Sequence, residues 1–287
     1  MSITELPWTG ERYVPSVQGQ IALEHLHRYA LAQLLASEKR VLDIACGEGY
    51  GTHLLAEKAM SVVGVDLDAT AIAHAQAKYS LPNLKFLQGD CSALPLPDGS
   101  VDLAVSFETL EHHSEHDAMM RELRRVLSPT GVLLISTPDR RHYSDERSYA
   151  NPFHVRELYA DEFRQLILRH FPHADFYGQN IVYGSLIAPF AGTGAFTSFS
   201  GDSNCLVGSS GVISPLYLVA IASPYPLPVL PSSLFDDTRA WHQETNALRQ
   251  ALAEANCQLK AVHDSIYWRL TYPLRLLRKL VKRIFGI

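Results

Sequence analysis

The 287-residue sequence predicts an α/β fold, a doubly wound and mostly parallel seven-stranded sheet with a C-terminal helical extension. Three observations carry that expectation. Apolar runs ending in an acid recur in order, closing at Asp43, Asp66 and Asp90. Between the first two lies a turn with glycine at alternate positions, Gly47, Gly49 and Gly51. Two further runs, 101–107 and 132–138, are apolar almost throughout, as strands covered on both faces must be.

The elements follow from the same logic. Residues 41–44 form a first strand and 62–66 a second, with the glycine turn feeding a helix between them. Residues 83–90 read as a third strand and 101–107 as a fourth. A helix over 117–127 and the turn at 128–131 lead to a fifth strand, 132–138. Upstream, residues 1–35 are an entry segment: a polar-aromatic turn at 9–15, then a helix from 21 to 36. Its apolar stripe is Ala22, Leu26, Tyr29, Ala30 and Leu34. Downstream of the fifth strand comes a polar stretch, 139–151, then a helix at 160–170 and a strand at 174–182. The Gly- and Ser-rich insert 184–214 reads as a lid or acceptor loop, and 215–222 as the closing strand. Pro224, Pro226, Pro228 and Pro231 end the main domain, set at 36–231.

The C-terminal region divides in two. Over 232–264, Trp241, Thr245, Leu248, Leu252, Ala255, Leu259, Val262 and then Ile266 alternate at spacings of four and three. That is the seam of a coiled coil and predicts a homo-oligomer. A helix lying back on its own domain is the alternative. Residues 265–287 hold no acid but carry Arg269, Arg275, Arg278, Lys279, Lys282 and Arg283. Leu274, Leu277, Val281, Ile284 and Phe285 lie opposite the last five of these, the composition of a helix in an anionic membrane surface.

Composition limits the function classes. A net charge of −5 gives no general attraction to nucleic acid. With 47% hydrophobic residues the chain can bury a large core. Four cysteines, Cys46, Cys91, Cys205 and Cys257, lie without metal-ligand spacing and predict free thiols in a reducing cytoplasm. No signal peptide and no apolar run near the ~20 residues of a membrane span is visible. The expected location is cytoplasmic, peripheral on the inner face of the cell membrane.

Glycine spacing points to the ligand. A dinucleotide turn wants its last glycine where Thr52 stands, and Glu48 inside the loop would repel a diphosphate. A sulfonium with an amino-acid tail carries no phosphate; Asp43 can face its ammonium group and Asp66 its ribose hydroxyls. The stretch 41–51 resembles motif I of the class I S-adenosylmethionine-dependent methyltransferases, with Ala45 at the first glycine position. That resemblance implies the class I methyltransferase fold and S-adenosyl-L-methionine as cofactor. It also implies an adenine contact at Asp90, with Ala45, Cys46, Gly47, Gly49, Leu67, Cys91 and Phe107 completing the site. The entry segment would close over the cofactor, Arg28 reaching its carboxylate and Tyr13 bordering the acceptor.

Candidate chemistry follows the fourth strand. Transfer to a hydroxyl needs a base, and His112 is the leading choice, with Glu111 orienting it. His154 and Arg156 in the polar insertion are the next candidates. Glu108, Glu111 and His112 also resemble the Glu-x-x-Glu-His motif of ubiquinone-pathway O-methyltransferases, which implies Mg2+ as a metal-assisted alternative. An acid at a helix start is the plain structural explanation of the same cluster. Segments 9–15, 24–29, 135–138 and 151–158 are similar to bacterial methyltransferases found with glycosyltransferases of surface-polysaccharide (O-antigen) assembly. Segment 265–274 resembles one found in such glycan enzymes. The implied acceptor is a sugar or glycan intermediate, with glycosyltransferases as partners. The alternatives are a small lipophilic acceptor such as a quinone precursor, and a non-catalytic cofactor-binding scaffold.

Overall fold

The computed structural model describes residues 13–17, 19–182, 184–189, 196–201, 206–236, 238–265 and 271. The turn at 9–12, Cys205 and nearly all of the basic tail therefore lie outside the described residues. The chain divides into two units, Met1–Asp236 and Asp237–Ile287.

In the first unit, five strands run parallel: β1 (Arg40–Ile44), β2 (Ser61–Asp66), β3 (Leu84–Gln88), β4 (Val101–Phe107) and β5 (Leu127–Pro138). Beyond β5 the sheet continues with β6 (His173–Val182), β7 (Gly184–Pro189), β10 (Tyr217–Ser223) and β11 (Ser233–Asp236). The full order is β11-β7-β6-β10-β5-β4-β1-β2-β3. The expected seven strands are thus nine; every pairing beyond β5 is antiparallel, which leaves β10 and β7 reversed and the other seven strands running the same way. Only β6 and β7 form a hairpin of consecutive strands; β10 enters between β5 and β6 and reverses the direction at both neighbours. The insert read as a lid supplies β7 to this sheet, plus a separate hairpin of β8 (Thr197–Gly201) and β9 (Leu206–Ser210). The proline-rich stretch lies inside the unit, because β11 follows it and pairs with β7.

Helices cover both faces. α4 (His116–Val126) and α5 (Ala160–His170) bury Met119, Met120, Leu123, Phe163, Leu166 and Ile167 against one face. On the other, α1 (Gln20–Ala36) and α2 (Tyr50–Ala56) pack through Leu31, Ala32 and Leu55, while α3 (Ala69–Lys78) presents Ile72 and Ala75 to Phe86. Strand order reverses between β1 and β4, which opens the crevice at their carboxyl ends where ligands bind in such sheets.

Helix α1 departs from its expected stripe. Leu34 is exposed, and the buried face carries Glu24, His27, Arg28, Tyr29, Leu31, Ala32 and Ala36. A helix that buries this much polarity must satisfy it elsewhere. Tyr217 Oη donates to Glu24, and Gln179 Oε1 accepts from Arg28. Both partners lie on the antiparallel extension, so the added strands and the entry helix support each other.

The second unit holds α6 (Thr238–Asp264), a 27-residue helix on which Leu248, Leu252, Leu259 and Val262 are all exposed. No helix among the described residues is long and apolar enough to cross a membrane.

Candidate active site

The turn after β1 owes its shape to backbone geometry. Ala45, Gly47 and Gly49 sit at φ +54, +56 and +94°, in the left-handed region. A Cβ there costs about 1–2 kcal/mol, which explains why glycine suits the slot that Ala45 fills. The glycines do different work. A Cβ on Gly49 would come 2.8 Å from Ala75 Cβ, and one on Gly51 would stand 1.9 Å from the Tyr29 ring. Gly51 therefore makes room for α1, not for a ligand.

Asp66 ties this turn to the next strand. Gly47 N donates to its Oδ2 at 2.8 Å, and Asp68 N to its Oδ1 at 2.9 Å. Asp43 has a different place from the one expected. It is fully buried and accepts from Thr52 Oγ1 at 2.7 Å and Tyr29 Oη at 3.2 Å. Burial pushes its carboxyl up to about 7, and it does not line the cavity, so direct contact with an ammonium group is replaced by a bracing role. Glu48 likewise does not project a bare charge. Its buried carboxylate accepts from Tyr79 Oη at 2.9 Å and from Lys78 Nζ, with His74 Nε2 at 3.2 Å. The loop is latched to the C-terminal end of α3.

A cavity of about 350 Å³ opens between these elements. Of the cofactor residues expected from sequence, Ala45, Cys46, Gly47, Asp66, Leu67, Asp90, Cys91 and Phe107 line it, whereas Arg28, Asp43 and Gly49 do not. Asp90 is shaped by its own turn, accepting from Ser92 N and Oγ at 2.7 Å, which holds its carboxyl below the usual range. Arg28 is fully buried. Its Nη1 lies 3.3 Å from Glu108 Oε1 and its guanidinium 4.9 Å over the Tyr217 ring, so it positions Glu108 instead of reaching a ligand carboxylate.

The sequence reading missed an aromatic wall. Tyr13, His25, Tyr29 and Tyr50 line the cavity, Tyr13 stacking on His25 at 5.3 Å and meeting Tyr50 edge-on at 4.9 Å. Tyr13 alone of these was expected. The signal for the rest was the spacing of His25, Arg28 and Tyr29, which puts them on one helical face. Burial, then the Arg28 charge, push the His25 imidazole well below its ordinary value, and it shares a hydrogen bond with Tyr50 Oη at 3.0 Å.

The far wall comes from the loop after β4. Glu108 sits at φ +50°, a strained conformation for a glutamate, and accepts from Ser136 Oγ at 2.6 Å. Glu111 is buried in the following 3₁₀ turn, accepting from Thr137 Oγ1 at 3.1 Å. Burial, then Glu108, push its carboxyl well above the usual range. It lies outside the cavity lining. His112 lines the cavity, and its Nδ1 lies 3.0 Å from the Phe153 carbonyl, which can only accept. A neutral ring must therefore keep its proton on Nδ1 and its lone pair on Nε2, 4.0 Å from Glu111 Oε1.

His154 does not enter the cavity. Its ring meets His112 edge-on at 5.1 Å, with Nδ1 against the Glu157 carboxylate and Nε2 facing Asn151 Nδ2. Arg156 is exposed and also outside, so the insertion braces His112 and supplies no second group to the cavity. Three ligand atoms within 4.8 Å of one another come from Glu111, His112 and His154, or from Asp90, Cys91 and His113. The trio Glu108, Glu111 and His112 is not among these, because Glu108 is turned to Ser136 and Arg28. Two imidazoles beside one buried carboxyl do not fit magnesium, which takes oxygen ligands in octahedral geometry. No step is assigned to a metal.

Comparison with known proteins agrees with this geometry. Residues 42–135 match the family model described as a methyltransferase domain. Over 166 residues the chain is 40% identical to a Mycobacterium tuberculosis protein named "Probable S-adenosylmethionine-dependent methyltransferase". That match covers 57% of this chain and 60% of the relative. Over 120 residues it is 32% identical to a fatty-acid O-methyltransferase of Mycolicibacterium smegmatis, covering 39% of this chain and 44% of the relative. The chain thus spans well under two thirds of the curated relatives' length. Among solved structures, the YcgJ protein from Bacillus subtilis superposes with a TM-score of 0.53 at 18% identity. It covers 70% of this chain and 100% of its own, a likeness of fold. Fold, motif order and relatives together support an enzyme of the class I S-adenosylmethionine-dependent methyltransferase type. S-adenosylmethionine is the cofactor those relatives support.

Proposed function

We propose that this chain transfers a methyl group from S-adenosylmethionine to a hydroxyl of a lipid-linked sugar or glycan intermediate. The observation that carries the reaction type is His112, which lines the cavity with its Nδ1 against the Phe153 carbonyl, so that Nε2 is the basic atom of the neutral ring. Bound S-adenosylmethionine supplies an electrophilic methyl on a sulfonium. Asp66 would accept from its ribose hydroxyls, Asp90 and Leu67 would border its adenine, and Tyr13, Tyr29 and Tyr50 would screen its methionine end from water. His112 would take the proton of the acceptor hydroxyl as that oxygen is methylated. Arg28 and Ser136 fix Glu108 beside this path, and His154 keeps the His112 ring from turning.

The glycan part rests on the similarity of segments 24–29, 135–138 and 151–158 to enzymes of surface-polysaccharide assembly. The lipid part is favoured by the relative named as a fatty-acid O-methyltransferase. A small lipophilic acceptor such as a quinone precursor is the second reading, supported by that same relative. Glycosyltransferases are the proposed partners, and the exposed Leu248, Leu252 and Leu259 of α6 support a seam for self-association.

The test is methyl transfer from labelled S-adenosylmethionine into separated extracts of bacterial cells. Label in the lipid-linked glycan fraction is expected. Label only in free small lipids selects the second reading, and cofactor binding without turnover in any fraction rejects both.

A further inference from the structure

The insertion after β5 presents a surface that methyl transfer does not use. Tyr149, Phe153 and Val155 are apolar, yet 48%, 52% and 64% exposed. They form one patch. The Tyr149 ring lies 6.0 Å from Tyr143, Tyr143 stacks on His154 at 5.6 Å, and Phe153 and Val155 flank His154 in the chain. Arg141, Arg147 and Arg156 are exposed around it, and none forms an ion pair among the described residues. The nearby acids are engaged: Asp145 by Arg140 and Tyr159, Glu146 by His142, Glu157 by His154. The patch is also fastened to the catalytic turn. Val155 N and Arg156 N donate to the Glu111 carbonyl at 2.8 and 3.0 Å, beside the His112 bond to Phe153 O.

We propose that segment 140–156 docks the first unit on an anionic lipid bilayer. Tyr149, Phe153 and Val155 enter the headgroup boundary and the three guanidinium groups meet lipid phosphates. Charge complementarity selects this occupant. Three exposed arginines beside apolar side chains offer lipid phosphates a complementary charge, and a guanidinium matches a phosphate with two parallel hydrogen bonds. A small apolar patch ringed by arginines on an exposed loop suits shallow insertion at the headgroup boundary. The docking does not depend on which acceptor is methylated. It brings the wall that carries His112 to the bilayer and is separate from the basic tail expected beyond residue 265.

The experiment uses the full chain and vesicles of phosphatidylcholine, with and without about one third phosphatidylglycerol. Phe153→Trp should gain a blue-shifted emission on the anionic vesicles, above the parent's tryptophan background, and be quenched by brominated lipid chains. Partitioning of the double variants Tyr149→Asp with Val155→Asp, and Arg141→Glu with Arg147→Glu, should fall about tenfold or more. Their S-adenosylmethionine affinity should match the parent, which separates lost docking from misfolding. Emission of the Phe153→Trp protein that ignores bound vesicles, equal partitioning of parent and variants, or equal binding to neutral vesicles would each overturn the proposal.

Discussion

The two walls of the cavity are built by opposite means. The cofactor wall is built by backbone: residues 43–52, 66–68 and 90–92 shape it through backbone angles and N–H groups that donate to strand-end acids, as in Gly47 N to Asp66 or Ser92 N to Asp90. The acceptor wall is built by side chains. His25 on α1, Glu108 and His112 on the loop after β4, and Phe153 behind His112 come from three separate segments, held by contacts such as those of Arg28 and Ser136. A wall set by backbone geometry fails when an atom is added. A wall set by side chains fails when one is removed.

The largest effect should therefore follow from a single added side chain. Gly47→Val forces a branched residue into φ +56° beside the cavity, and S-adenosylmethionine binding should vanish from an expected micromolar level, about −8 kcal/mol. Gly51→Ala should act through a different neighbour, displacing Tyr29 and with it the fit of α1. Calorimetry on both variants tests the contrast. Undiminished affinity in Gly47→Val would remove the case for a backbone-built wall.

On the acceptor wall the expected loss is in turnover. His112→Ala should lower the rate by about two to four orders of magnitude while cofactor affinity stays nearly constant. His154→Ala should cost less, since that ring only supports His112. If His112→Ala keeps its turnover and His25→Ala loses it, the proton leaves toward α1 and the base has been placed on the wrong side.

This division also explains what could be read in the sequence. The parallel half of the sheet, the turn and the strand-end acids were legible because each is a local pattern, with glycine or an acid at a fixed offset from an apolar run. The aromatic wall was not, because the apolar stripe assigned to α1 hid a buried face that includes Glu24, Arg28 and Tyr29. Those polar groups are tolerable only beside Gln179 and Tyr217, more than 150 positions away, as the Arg28–Gln179 and Glu24–Tyr217 bonds show. The strand count failed for a related reason. β7 and β11 are short and lie in a Gly- and Pro-rich region, and only their pairing, β7 with β6 and β11 with β7, marks them as strands. Asp43 and Glu48 were legible as residues but misjudged in role, since sequence gives a carboxylate and not what it faces.

Glu48 offers a sharper test of the cofactor wall. Its carboxylate fixes the loop by accepting from Lys78, Tyr79 and His74. Glu48→Gln keeps the size, loses the charge, and should weaken S-adenosylmethionine binding by about 1–3 kcal/mol with turnover at saturation unchanged. Asp66→Ala should cost a similar amount through the ribose contact. A fall in saturated turnover with Glu48→Gln, at constant affinity, would mean that the latch serves the acceptor wall instead.

A further effect, read in stability and not in binding, concerns Asp43, where the two walls meet through Tyr29. Burial raises its folded-state pKa to about 7 from an ordinary 3.8, so the folded chain holds the proton more tightly than the unfolded one. The resulting stabilisation is complete below about pH 4 and is lost as pH rises through 7, at no more than about 1.4 kcal/mol per pH unit. Glu24 and Glu111 are shifted upward by burial too and add slope of the same sign, so only the difference between parent and variant isolates Asp43. Asp43→Asn cannot titrate. The cofactor-free variant should melt with a flatter pH dependence between about 4 and 7, and its melting temperature should gain on the parent's as pH rises. Parallel melting curves across that window would show that Asp43 is already ionised in the fold, held by Thr52 and Tyr29. Its charge would then stand behind the cofactor turn as a permanent field, and Asp43→Asn should weaken the binding of the cationic cofactor at every pH.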